Sequence, residues 1–207
     1  CLTCNVSRFV GEEGAESREA TNPRTEEISA FHMVTMPNQN DEALWYKECK
    51  SLKDYLKLYR IPTEAQPVYC GTCKSNQPTI QKTVIETLPN VLVLSVNRTY
   101  TEKPTKLPEG GWLFTGPKKN SNGIDVNHTL DAREWSSGNG IYLLQSVVIH
   151  NGNTPLVGHY ITLYKDHYNG RTPAYYYLSD SSVFKLDERE FNEFASVGVL
   201  FFYIRRE

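Results

Sequence analysis

The sequence lacks the features that mark a nucleic-acid-binding or membrane-spanning chain. Its 22 lysines and arginines are offset by 24 aspartates and glutamates, which gives a formal net charge of −2. The chain therefore has no basic field to attract a polyanion. No apolar run approaches the roughly 20 residues that a membrane-spanning helix needs, and no targeting segment is recognisable. We expect neither nucleic acid nor membrane as a direct partner.

Cysteine is also scarce, with five in 207 residues, but four of them form two CxxC pairs. The pairs are Cys1 with Cys4 and Cys70 with Cys73, and together they supply the four thiolates of a tetrahedral structural zinc site. Two disulfides are the alternative, but cysteines two residues apart bridge poorly within one pair, and nothing indicates secretion. The sequence predicts one structural Zn²⁺ and a reducing compartment, cytoplasmic or nuclear.

The fifth cysteine, Cys49, stands at the start of a predicted helix. An ordinary half-buried thiol explains it better than a fifth metal ligand or a nucleophile. The chain begins on a predicted zinc ligand rather than on methionine. We therefore expect it to be a segment of a longer protein.

Length and composition favour one sizeable core, mostly of β structure, with at most a small metal-clamped extension. The 13 tyrosines and 8 phenylalanines, together with many β-branched residues, favour strands. Strands are predicted at 28–36, 79–87, 91–96, 112–114, 141–150, 159–165, 174–178 and 198–205. Helices are predicted at 51–59 and 187–194. The pattern predicts an α+β fold with a mostly antiparallel sheet.

Two local patterns are specific enough to test. Ser51 and Asp54 resemble a capping box at the start of the helix at 51–59. Strands 79–87 and 91–96 are separated by Leu88-Pro89-Asn90 and are predicted to pair as a hairpin.

The five histidines are not equivalent as candidates for chemistry. Four have surface or turn positions as their simplest interpretation: His32, His128, His150 and His167. His159 follows Gly158, which leaves room for a close backbone approach, and it begins a strand that would hold its imidazole. A general base needs a partner for its second ring nitrogen. Antiparallel pairing with the next strand would bring Ser179 or Asp180 beside His159, although a purely structural histidine is an equally good interpretation.

A series of landmarks resembles the fingers and palm of a ubiquitin-specific protease. In chain order they are the first CxxC pair, the helix at 51–59, Tyr69-Cys70-Gly71-Thr72-Cys73, residues 85–98 (IETLPNVLVLSVNR), residues 142–152 (YLLQSVVIHNG), Gly158-His159-Tyr160, residues 178–183 (LSDSSV) and residues 200–203 (LFFY). The resemblance covers nearly the whole chain.

This resemblance implies a papain-like fold of thumb, palm and fingers, with zinc at the fingertips. It implies zinc-bearing fingers over 1–88, including the helix near 51–59, and a palm over 89–207 that carries His159 as the general base. The implied activity is thiol-dependent hydrolysis of the bond to the carboxyl terminus of ubiquitin. The implied partner is ubiquitin or a ubiquitinated protein.

The chain departs from the family pattern in two places. Counting back from Val183, Ser179 occupies the position where the family has Asp or Asn, and Asp180 follows it. Either Ser179 orients His159, or Asp180 takes over, or the site has decayed. The family's nucleophile lies in a Gly-Asn-Thr-Cys box within the thumb, and residues 152–155 (GNTP) match only its first three letters. The thumb is therefore expected to be absent from this chain.

Two further functions stay open. One is a catalytically inactive ubiquitin-hydrolase-like scaffold, because residues 74–81 (KSNQPTIQ) also resemble a stretch of the inactive domain in the Pan poly(A) deadenylase. Retention of Gly158-His159-Tyr160 favours the enzyme, whereas Ser179 favours the scaffold. The other is a stand-alone zinc module that binds a protein, which leaves the palm-like half unexplained.

Overall fold

The structure is a computed structural model. It describes residues 50–58, 61, 63–81, 88–136, 138–167 and 172–206, together with the backbone of three earlier strands. The strands are β1 Arg8–Phe9, β2 Arg18–Glu19, β3 Phe31–Met36, β4 Thr63–Cys70, β5 Ser75–Gln81, β6 Val91–Val96, β7 Thr99–Tyr100, β8 Thr105–Lys106, β9 Trp112–Leu113, β10 Lys118–Lys119, β11 Thr129–Asp131, β12 Ile141–Asn151, β13 His159–Asp166, β14 Ala174–Ser179, β15 Ser182–Leu186 and β16 Leu200–Arg206. The helices are α1 Leu52–Leu58 and α2 Glu188–Ala195, with a 3₁₀ turn at Ala132–Glu134.

The main sheet has eight strands, seven of them in the order β15-β14-β13-β12-β16-β6-β3, while β11 pairs with β12 beside that path. All neighbours run antiparallel except β3 and β6. The described helices are few, and none is long and apolar enough to cross a membrane. The predicted α+β class with a mostly antiparallel sheet is confirmed.

The predicted hairpin between residues 79–87 and 91–96 is wrong. Both edges of β6 are occupied by other strands, β16 on one side and β3 on the other. Residues 79–81 are the described part of the upstream segment, and they belong to β5, which pairs instead with β4. The reason is that the apolar run of β6 needs burial on both faces and partners on both edges, and periodicity does not identify those partners.

Both predicted helices form, and local capping accounts for where they begin. The backbone N–H of Asp54 donates to Ser51 Oγ at 3.2 Å, and the backbone N–H of Ser51 donates to Asp54 Oδ2 at 3.0 Å. In α2, Asp187 and Glu190 form a complete capping box. Each reciprocal pair satisfies two backbone donors that a helix start leaves open.

One core lies against the main sheet and includes residues from both helices. Leu52, Tyr55 and Leu56 of α1 are at most 1% exposed and belong to this core, as does Phe191 of α2. Elements from before residue 88, namely α1 and β3, thus contribute to the core or to the main sheet. The predicted division into fingers at 1–88 and palm at 89–207 stays a prediction.

Arg98 anchors the segment that follows β6. Its guanidinium is buried and donates to the backbone carbonyls of Ser196 at 2.8 Å, Gly198 at 3.2 Å and Asn122. Burial lowers the pKa of Arg98 to about 10, so the side chain keeps its charge at neutral pH. This anchor fixes the start of the two-stranded ribbon of β7 and β10.

Candidate active site

The structure brings the three predicted catalytic residues together where β13 begins and β14 ends. His159 is the first residue of β13, and Ser179 is the last residue of the neighbouring strand β14. Nε2 of His159 lies 3.0 Å from Ser179 Oγ and 3.4 Å from Asp180 Oδ2. The antiparallel pairing that the sequence predicted therefore produces the predicted juxtaposition.

The geometry leaves one imidazole nitrogen available for chemistry. Nε2 of His159 is engaged by Ser179, whereas Nδ1 has no hydrogen-bond partner within the part of the chain that the structure describes. With its proton on Nε2 and donated to the serine hydroxyl, the ring presents a lone pair on Nδ1. A histidine held in this way can accept a proton from a nucleophile.

Asp180 contacts the same nitrogen from a more exposed position. Its side chain is 81% exposed, and its backbone φ of 49° lies in the left-handed region. Asp180 and Ser181 form the two-residue turn between β14 and β15, where Ser179 pairs with Ser182. Such turns often need a positive φ at their first residue, and Asp tolerates it well. Asp180 thus has a conformational reason to be where it is, and its attraction for His159 is screened by solvent.

The close approach predicted at Gly158 is present, and His150 is the residue that requires it. A Cβ on Gly158 would lie 2.3 Å from Nε2 of His150 and 2.6 Å from the backbone oxygen of Asn151. A Cβ on Gly152 would lie 2.3 Å from the oxygen of Val157. The loop before His159 therefore closes tightly around the His150 ring.

Sequence reasoning did not predict that the His150 ring is buried beneath the loop that leads to His159. Its side chain is buried, and its ring centroid lies 4.9 Å from that of Tyr160. Burial, with a contribution from the charge of Lys119, lowers the pKa of His150. Its position in the alternating run of β12 was the one signal that could have placed it inside.

His128 was likewise predicted as a surface or turn residue; it does lie in a bend just before β11, but its ring is half-buried. Its Nε2 lies 2.5 Å from Asn192 Oδ1, its Nδ1 accepts from Nζ of Lys165 at 2.7 Å, and its ring packs on Phe191. Burial is the main reason that the pKa of His128 is lowered. This cluster lies under α2 and stabilises the fold, apart from the site around His159.

The other predicted site is described only in part. Cys1, Cys4 and Cys49 lie outside the described residues. Cys70 ends β4 and is 4% exposed, and Cys73 is half-buried in the turn that leads to β5. Shielding of Cys70 in a hairpin whose other side chains are largely exposed fits a metal-binding turn. Within the described residues, no group of three or more His, Cys, Asp or Glu side chains could hold a metal ion.

Comparison with known proteins identifies the family. The family model described as ubiquitin carboxyl-terminal hydrolase matches residues 4–203. The chain belongs to the ubiquitin carboxyl-terminal hydrolase family. The resemblance to ubiquitin-specific proteases that the sequence predicted is thus confirmed.

Two curated ubiquitin carboxyl-terminal hydrolases illustrate the relationship. Ubiquitin carboxyl-terminal hydrolase 26 of Arabidopsis thaliana is 29% identical over 147 residues, which are 70% of this chain and 13% of that protein. Ubiquitin carboxyl-terminal hydrolase 48 of Rattus norvegicus is 26% identical over 167 residues, which are 79% of this chain and 14% of that protein. The chain therefore spans about one seventh of the length of these relatives.

Solved structures of a ubiquitin hydrolase module share the fold. The SAGA DUB module of Ubp8, Sgf11, Sus1 and Sgf73 bound to monoubiquitin superposes with a TM-score of 0.62 at 24% identity, covering 84% of this chain and 35% of that chain. The same module bound to ubiquitin aldehyde also gives a TM-score of 0.62, at 23% identity over 84% of this chain and 36% of that chain. A likeness at this identity shows that the chains share a fold.

Proposed function

We propose that this chain is the fingers-and-palm part of a deubiquitinating cysteine protease that cleaves the bond to the carboxyl terminus of ubiquitin. In this proposal His159 is the general base and Ser179 holds its second nitrogen. The nucleophilic cysteine comes from a thumb outside these 207 residues. The observation that carries the proposal is the 3.0 Å contact between His159 Nε2 and Ser179 Oγ, which leaves Nδ1 for the thiol.

The surface around His159 suits a protein substrate better than a small molecule. Leu156 and Val157 precede it with 77% and 76% of their surface exposed, and Tyr160 follows it at 63%. Val183, just beyond Asp180, is 63% exposed. Large apolar side chains grouped on a surface are typical of protein-binding sites. Ubiquitin is the partner that membership of this family favours.

The charges beside the His159 imidazole determine how well it can hold the proton that it accepts. Ser179 is neutral, so it can orient the imidazole but adds no negative charge to stabilise the imidazolium formed after proton transfer. Asp180 supplies a charge 3.4 Å from Nε2, although from an exposed position. A thiolate formed beside the imidazolium would itself compensate part of the missing charge.

A catalytically inactive scaffold is the second candidate, and Ser179 is the observation that favours it. A neutral residue in this position is compatible with a site that keeps its shape after losing its chemistry. The exposed apolar residues around His159 would then bind a protein without cleaving it. The two candidates differ in whether the full-length protein hydrolyses a ubiquitin conjugate at all.

The deciding experiment measures hydrolysis of a fluorogenic ubiquitin carboxyl-terminal conjugate by the full-length protein. We expect His159→Ala to abolish turnover, because without a base the thiol stays largely protonated near neutral pH. His167→Ala, just past the opposite end of β13, is the matched control and should retain activity, with at most a small loss of stability because the His167 ring contacts the Leu144 carbonyl. Full activity of the His159→Ala protein would show that the site has been misassigned, and an inactive wild-type protein would favour the scaffold.

We also propose that Cys1, Cys4, Cys70 and Cys73 bind one structural Zn²⁺. Supporting this are the two CxxC pairs and the shielding of Cys70 at the end of β4. When bound, the metal would hold two distant segments of the chain together and add its binding energy to folding. We expect metal analysis of the purified protein to give one zinc per chain. Four cysteines without metal would refute the proposal.

A further inference from the structure

Strand β12 extends past the end of its neighbour β16, beside the candidate active site. The last backbone bond between these segments is from Val199 N–H to the carbonyl of Val148, at 2.8 Å. Carbonyls two residues apart in a strand point to the same edge. The carbonyl of His150 therefore follows that of Val148 along an edge that β16 no longer covers, and the carbonyl of Gly152 lies one residue past the end of β12. Partly buried carbonyls in this position need donors.

A lysine side chain supplies those donors. Nζ of Lys119, the last residue of β10, donates to the carbonyl of His150 at 2.5 Å and to that of Gly152 at 2.7 Å. Bonds from a charged donor are stronger than bonds between neutral groups. One ammonium thus supplies the hydrogen bonds that β16 does not provide at this end of β12. The lysine is itself held in place, since the backbone N–H of the next residue, Asn120, donates to the carbonyl of the anchored Arg98 at 2.7 Å.

The other edge of the same segment carries the predicted base. Asn151, between the two carbonyls that Lys119 binds, is the cross-strand partner of His159. His150, whose ring occupies the space left by Gly158, is the partner of Tyr160. The backbone of residues 150–152 contacts Lys119 on one side, and residues 150 and 151 pair with β13 on the other. Movement of this segment away from Lys119 therefore displaces the start of β13. The 3.0 Å contact of His159 with Ser179 depends on that start.

We propose that Lys119 is a positioning residue for His159: its ammonium fixes the unpaired edge of β12 and so holds the imidazole against Ser179. The proposal rests on the proposed role of His159 as general base. Lys119 touches neither the imidazole nor, in this proposal, the substrate. Its action passes through the backbone of residues 150–152.

The test compares Lys119→Met with Lys118→Met in the full-length protein. Both variants lose one positive charge from the same strand, but the ammonium of Lys118 binds Glu102 at the surface, 2.6 Å away. Since a displacement of about 1 Å in catalytic geometry can cost up to about 100-fold, we expect Lys119→Met to lower kcat about tenfold with KM within about twofold. Lys118→Met should leave both constants within about twofold. Equal effects of the two variants would overturn the proposal.

A rescue variant and a structural measurement separate positioning from general stability. Lys119→Arg keeps a charged donor and should recover most of kcat, whereas a role limited to side-chain packing would not distinguish a donor from a hydrocarbon of similar length. If Lys119→Met does not fold, Lys119→Gln, with a shorter neutral donor, replaces it and should give an intermediate kcat. Recovery by neither Arg nor Gln would contradict the proposal.

Amide hydrogen exchange and the His159 imidazole signals can be measured whether or not the wild-type protein is active. In Lys119→Met we expect faster exchange at residues 150–160 and displaced His159 signals, with no change at residues 91–96. Unchanged exchange and unchanged imidazole signals would refute the positioning role itself. Failure of the proposed function would instead appear as an inactive wild-type protein in which these structural effects are still present.

Discussion

The residue that orients His159 can be identified by separating a close neutral contact from a more distant charged one. Ser179→Ala removes the hydroxyl 3.0 Å from Nε2, and Asp180→Asn removes the charge 3.4 Å away while keeping the size of the side chain. The structure favours Ser179 as the more important partner. Its contact has hydrogen-bond length and lies on the paired end of β14.

The expected magnitudes follow from the exposure of each partner. One hydrogen bond between neutral groups contributes about 0.5–1.5 kcal/mol net, so Ser179→Ala should lower kcat/KM by about 2- to 12-fold. His159 is 47% exposed and Asp180 is 81% exposed, and an ion pair this open to solvent contributes little. Asp180→Asn should therefore lower kcat/KM by less than about threefold.

The assay is kcat/KM of the full-length protein on a fluorogenic ubiquitin conjugate at low and high salt. Any effect of Asp180→Asn should shrink as salt screens its charge, whereas the effect of Ser179→Ala should not. A larger loss from Asp180→Asn than from Ser179→Ala would refute the reasoning. In that case the charged residue would orient the base despite its exposure, and the 3.0 Å serine contact would be secondary.

Two further predictions concern stability. Gly158→Ala should lower the free energy of unfolding by about 1–3 kcal/mol, because the new Cβ would collide with His150 and with the Asn151 carbonyl, whereas Gly116→Ala, which meets nothing within 4 Å, is the control in denaturant titrations. Burial lowers the pKa of His128 in the fold, so the unfolded chain takes up its proton first, near its ordinary pKa of about 6.5, and stability falls as pH drops below that value. His128→Gln should make this fall shallower when Tm is measured between about pH 7.5 and 5.5, and an unchanged slope would contradict the assignment.

Local patterns in the sequence identified both described helices and most strands of the main sheet, although not β11 or β15. The helix at 51–59 and its Ser51 capping box follow from periodicity and from one side-chain preference, both of which act within a few residues. The juxtaposition of His159 and Ser179 was also accessible, because consecutive antiparallel strands joined by a short connection bring their ends together. Each of these predictions depends on residues close in sequence or on adjacent strands.

Contacts between distant segments were decided only by the tertiary structure. The apolar run of β6 indicated a buried strand but not its partners β3 and β16, since burial is a property of one segment and pairing is a property of two. His150 read as a turn residue because its burial depends on the approach of two glycines in the loop that follows. Lys119 lies in a polar stretch with no distinguishing pattern. Its contact with the end of β12 exists because β16 stops short there, and the relative lengths of strands far apart in sequence are set by how the whole sheet assembles.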